Sequence, residues 1–304
     1  MPTRTTERGP SLRPAVAVWA LVGLVGVAVA ATYARLPPSS FYNVSEGGID
    51  GGLGRALVYS NFPVALIALA VAALVADRLD ERLSDAASVV AVALCLVVAA
   101  PGVVDQNDLD AKALNAIPFF GVLLVLALTV VAVGRAGLGR STPPRPGDPV
   151  RLALAALLAL AAIPWLFAEL GFYVDDVPGL GAVFMSDEIV PEPGHPDLRA
   201  VHLGHHHGTD GVLFALSALV LSRELAAMRR PALRAVLAGY LSLMLVYGIA
   251  NALEDFWLEQ LVKRDVTSFK LPGMLRPDLA PEWAAIVLAA ALVYVFAFRP
   301  AART

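Results

Sequence analysis

Eight apolar stretches, each near 20 residues and each closed by charge, proline or glycine, run through this sequence at about residues 14–34, 55–76, 84–104, 117–134, 151–174, 202–221, 233–255 and 281–298. Roughly 20 apolar residues in a helix is what the hydrocarbon core of a bilayer requires. Stretches with so little polar face make poor surface helices of a water-soluble domain. With 58% hydrophobic residues, 16% charged residues and a mean hydropathy of +0.68, the 304-residue chain is expected to be all-α. More specifically, it predicts a polytopic integral membrane bundle of about eight transmembrane helices.

Arginine sets the expected orientation. Reading alternate connections from the N-terminus, one side of the bundle collects 15 of the 23 basic residues and only 7 of the 26 acidic ones. Basic residues flank the cytoplasmic ends of spans, so both termini are expected in the cytoplasm, in a plasma (inner) membrane, with the acidic face outward. The N-terminal apolar run has the flanks of a secretory signal but is long enough to span, and is read as the first helix. The segment "STPPRPGDP" divides the chain into two four-helix halves, residues 1–140 and 141–304. The second and fourth spans open alike, as "RALVYSNFP" and "KALNAIP", which resembles a duplicated hairpin, though Ala- and Leu-rich text produces such likeness by chance. The one cysteine, Cys95, allows no intrachain disulfide and reads as a small core residue.

Chemistry concentrates in the second half. The run "VHLGHHHGTDG", residues 201–211, holds four of the five histidines. Counting back about 20 residues from Arg223 reaches Leu203, so the run is drawn into the outer half of the membrane. At 100° per residue, with His202 at about 0°, His206 falls at about 40°, Asp210 at about 80° and His205 at about −60°. These groups share one face. Gly204 and Gly208 fall at about 200° and 240°, spaced as small residues are where another helix approaches closely.

Neighbouring spans carry polar outer ends too. Trp165, Glu169 and Tyr173 share a face of the fifth span, and Tyr240, Tyr247, Asn251 and Glu254 form a stripe on the seventh, with Asp255 at its edge. An ionisable group inside a bilayer costs roughly 2.5–3.5 kcal/mol even on the lenient insertion scale, which makes such groups functional candidates. Imidazole with carboxylate suits a divalent transition metal, zinc or iron foremost. His202 and Asp210 lie about 12 Å apart along a helix, too far to grip one ion together. A single ion would therefore take His202 with His206, or His206 with Asp210, with His205 as a further candidate and Glu169 or Glu254 completing the set. Either glutamate would also serve as the catalytic proton shuttle. Two ions could share the whole row. His207 reads as a neighbour of the ligands, and His195 as a loop residue.

The spacing of His202 and His206 in "HLGHH" resembles that of metal-dependent ceramidases and related membrane hydrolases, which also set H-x-x-x-H and aspartate on membrane helices. The resemblance covers this spacing alone. Here no second helix supplies a histidine, and the motif lies at the outer side of the sixth of eight spans.

Several functions are disfavoured. No G-x-x-x-x-G-K-[ST] loop supports an NTP-driven motor, confinement of the histidines to one region argues against a bis-histidine haem, and nucleic-acid binding has no support. Three readings remain: an outward-facing metal-dependent hydrolase acting on a lipid or lipid-linked substrate, a transporter of divalent metal or protons, and a non-catalytic assembly subunit. Because the inner halves of the spans carry hydroxyls but no charge, the enzyme is favoured over the transporter.

Overall fold

A computed structural model describes residues 9–35, 52–104, 110–140, 142–145, 147–169, 178, 206–262, 266–274, 277 and 279–299. Among them the regular structure is entirely helical: α1 (Arg13–Arg35), α2 (Gly52–Leu79), α3 (Arg82–Leu96), α4 (Ala116–Ala136), α5 (Asp148–Glu169), α6 (His206–Ser222), α7 (Pro231–Trp257) and α8 (Pro281–Val293). Short 3-10 turns follow α3 and precede α4, and π turns extend α7 to Val262 and α8 to Phe298. Six segments, on α1–α4, α7 and α8, are long and apolar enough to cross a membrane. The other two helices, α5 and α6, have 22 and 17 residues of similar Ala, Leu and Val content.

Two boundaries depart from expectation. The third stretch does not run to residue 104: α3 ends at Leu96 and its 3-10 extension at Ala99. Ala100 is extended (ψ 140°), as the residue before a proline prefers, and Gly102 then takes φ +84° in the turn. At the other extreme α7 and its π turn continue seven residues past Asp255, the expected end.

Charged contacts show how the helices alternate. Ser11, just before α1, donates its backbone N–H to Glu224 just past α6 (2.7 Å), and Arg78 at the end of α2 donates to the Ala136 carbonyl at the end of α4 (2.7 Å). Arg223 past the end of α6 meets Asp148 at the start of α5 (3.0 Å), and Arg230 before α7 meets Asp85 in the first turn of α3 (2.8 Å). Arg151 in α5 lies over the Phe298 ring beyond α8. Starts of odd-numbered helices and ends of even-numbered ones therefore gather at one end of an up-and-down bundle. These are the arginines that the charge bias assigns to a single side.

This ionic end is partly buried, and its buried carboxylates are hydrogen-bonded. Asp77, with no solvent exposure, accepts the backbone N–H groups of Arg229 and Arg230 (2.9 Å each), and the Arg229 guanidinium donates to the Asp77 carbonyl. Glu224, also buried, takes the Thr142 hydroxyl in addition to Ser11. The N–H of Arg145, aided by Arg223 and Arg151, holds the Asp148 carboxyl below its usual range.

Inside the bundle α6 is central, packed against α1, α2, α5 and α7. A row of rings, Phe62 (α2), Phe214 (α6), Tyr247 (α7) and Trp283 (α8), crosses the interior with centroids 6.3, 5.6 and 5.6 Å apart. Cys95 is buried where α3 meets α4, and a Cβ on Gly121 would come within 2.8 Å of its sulfur. The asparagines of the two similar helix starts touch each other. The Asn61 amide donates to the Asn115 carbonyl (2.6 Å), and the Asn115 amide donates to Val103 (2.5 Å), which ties the loop after α3 to α2 and α4.

Candidate functional site

The site lies on the α6–α7 seam, at the end of the bundle opposite the ionic belt. Small residues four apart on each helix, Gly211 with Ala215 and Gly248 with Ala252, let the two backbones meet. A Cβ built on Gly211 would stand 2.5 Å from the Gly248 carbonyl oxygen and 2.7 Å from the Ala252 nitrogen, and one on Gly248 would stand 2.5 Å from the Gly211 oxygen. Gly211 falls about 60° from Gly208 round α6, three residues further along the helix.

Past this contact the seam turns polar while staying buried. Asp210 is 4% exposed, Asn251 1% and Asp255 1%, and Glu259 in the π turn is fully covered. Taking Gly248 as the centre of the contact, Asp255 lies about 20° away, Asn251 about 60° and Glu254 about 120°. Glu254 is accordingly only half-buried. The stripe drawn through Tyr240 is centred nearer Glu254, whereas the Gly248-x-x-x-Ala252 pair, which marks where the backbone of α7 is touched, lies nearer Asp255. Glu259 had no signal, because it lies beyond the expected end of the span.

Of the predicted site residues, the structure describes two side chains, Asp210 and Glu254, and it turns only Asp210 into the buried seam. His206 is the first residue of α6 and Glu169 the last of α5, but their side chains lie outside the described residues, as do His202 and His205 entirely. Among the described residues no three of His, Cys, Asp or Glu are grouped so as to hold a metal ion. Tyr247 forms the floor beneath Asp210, within its electrostatic reach, and the Asn251 amide donates to the Tyr247 carbonyl (2.8 Å).

No protein-family model, no curated protein and no solved structure matches this chain. Fold and composition together define a helical bundle of membrane-protein type, with six helices suited to crossing a bilayer.

Proposed function

We propose that this chain is an eight-span plasma-membrane protein with both termini cytoplasmic, and that the outer end of α6 holds a divalent transition metal for hydrolysis of a lipid or lipid-linked substrate at the outer leaflet. His206 with His202 or Asp210 would bind the ion, with His205 beside them and Glu169 completing the set. The ion would polarise the substrate and bring the pKa of a bound water toward neutrality. The carboxylate of Glu169 or Glu254 would carry the proton.

The observation that carries this reading is the buried Asp210, one residue from the close approach of α6 and α7 at Gly211 and three residues after the histidine run. Buried carboxylates are retained where they are paired or bind cations. An outward-only site is favoured over a transporter because the zone between it and the ionic belt is filled by Phe214, Leu213, Ile67, Leu74, Leu237 and Leu241, all within 2% of full burial. An apolar groove between α7 and α8, lined by Gly239, Leu243, Val287 and Ala290, ends one turn short of the Tyr247–Trp283 pair, on the side of it nearer the ionic belt.

The test is reconstitution in vesicles of mixed phospholipids and lipid-linked phosphates, with products followed by mass spectrometry. Release that stops on chelation, returns with added metal and is lost in Asp210→Asn supports the reading. Vesicles left intact with zinc, iron and manganese each supplied in turn would refute it.

A further inference from the structure

We infer that α7 supplies Asn251 and Asp255, opposite Asp210, to an oxygen-rich site for a divalent metal ion. This rests on the reading that the outer end of α6 binds a metal. It adds which atoms of α7 reach the ion.

The seam fixes the register. Gly211 stands level with the gap between Gly248 and Ala252, since its Cβ would meet both. Asp210, about 1.5 Å further along the axis, then stands level with Asn251. The rings of Phe214 and Tyr247, 5.6 Å apart, identify one side of the seam. Asp210 lies one turn above Phe214 on that side, and Asn251 one turn above Tyr247 on the same side. Asp255 follows a turn further out, almost on the contact line. Glu254 faces elsewhere.

Asn251 supplies the independent sign of a ligand. Its amide nitrogen is committed to the Tyr247 carbonyl, so Oδ1 is the atom left to the seam, and this buried oxygen has no hydrogen-bond partner among the described residues. A buried acceptor without a donor costs about 1–3 kcal/mol, and a cation satisfies it. Two carboxylates and an amide oxygen form an oxygen donor set, of the kind that suits ions such as manganese.

The test uses the metal-stripped, untagged full-length protein in detergent, titrated with Mn2+ while the paramagnetic resonance signal of the free ion is followed. Wild type should take up Mn2+. Asp255→Asn should weaken uptake at least about tenfold, Asn251→Asp should bind at least as tightly as wild type, and Glu254→Gln should change little. Circular dichroism confirms that each variant is folded. Loss of binding in Glu254→Gln with Asp255→Asn unaffected would overturn the assignment while leaving the metal reading intact. No uptake of Mn2+, Fe2+ or Zn2+ by wild type would overturn the metal reading itself.

Discussion

Replacing Gly248 by alanine adds one methyl group where the structure leaves none. That Cβ would stand 2.5 Å from the Gly211 carbonyl oxygen, 2.8 Å from the Ala215 nitrogen and 2.9 Å from the Phe214 Cβ. Two of the three obstacles are backbone, so rotamer changes cannot relieve the clash and the helices must part. Ordinary contact is restored only after roughly 0.5–1 Å of movement, which forfeits about a quarter to a half of the dispersion energy at each affected contact. Overpacking of this kind costs about 1–3 kcal/mol, or roughly 2–4 °C in Tm per kcal/mol for a chain somewhat smaller than this one. The same movement draws Asn251 and Asp255 away from Asp210, so any bound metal should be lost as well. The assay is thermal unfolding in detergent of Gly248→Ala beside Gly239→Ala, whose Cβ meets nothing within 4 Å and which alanine's helix propensity should leave neutral or slightly stabilised. Equal Tm values for Gly248→Ala and wild type would refute the close seam and the site geometry built on it.

Other outcomes follow from the ionic end. Asp77→Ala should lose about 3 kcal/mol or more in the same unfolding assay, because it strands the N–H groups of Arg229 and Arg230 and a partly buried guanidinium. Because the folded pKa of Asp148 lies below its unfolded value of about 3.9, its contribution to stability is full above that pH and is lost as pH falls through the folded pKa. Wild type should therefore lose stability as pH falls below about 4 more steeply than Asp148→Asn, as read from denaturation at stepped pH. With Cys95 replaced by alanine, a cysteine at Arg135 should react with an impermeant maleimide only from the cytoplasmic side of oriented membranes, and one at Lys270 only from the outside. The reverse pattern would invert the proposed orientation.

Much of the architecture could be read directly from the residues, because bilayer-length apolar stretches and their closing charges state where helices begin and end. Each of the eight helices lies largely within one of those stretches. The clear boundary error, at the end of α3, came from treating Val103 and Val104 as a continuation past Pro101 and Gly102, where backbone restrictions outweigh hydropathy. The site was harder to read. Helical periodicity tells which residues share a face, but it does not say which face meets the neighbouring helix. On α6 the close approach to α7 is made at Gly211, outside the Gly204 and Gly208 pair that the spacing singles out. On α7 the aromatic stripe drew attention to Glu254, although the small pair Gly248 and Ala252 places Asp255 closer to the contact. Burial of Asp77 and Glu224 was also beyond a wheel diagram, since their partners, Arg229, Arg230, Ser11 and Thr142, come from distant parts of the chain.

The most direct test of the central claim, that the outer end of α6 holds a metal, is elemental analysis of the untagged protein after dialysis against metal-free buffer, with His206→Ala and Asp210→Asn alongside. The account predicts about one or two equivalents of a transition metal in the wild type, lost in both variants while the helical circular dichroism is retained. Wild-type protein that carries no metal, and is as stable as its variants, would contradict the claim and leave the histidine run as a polar entrance to the bundle.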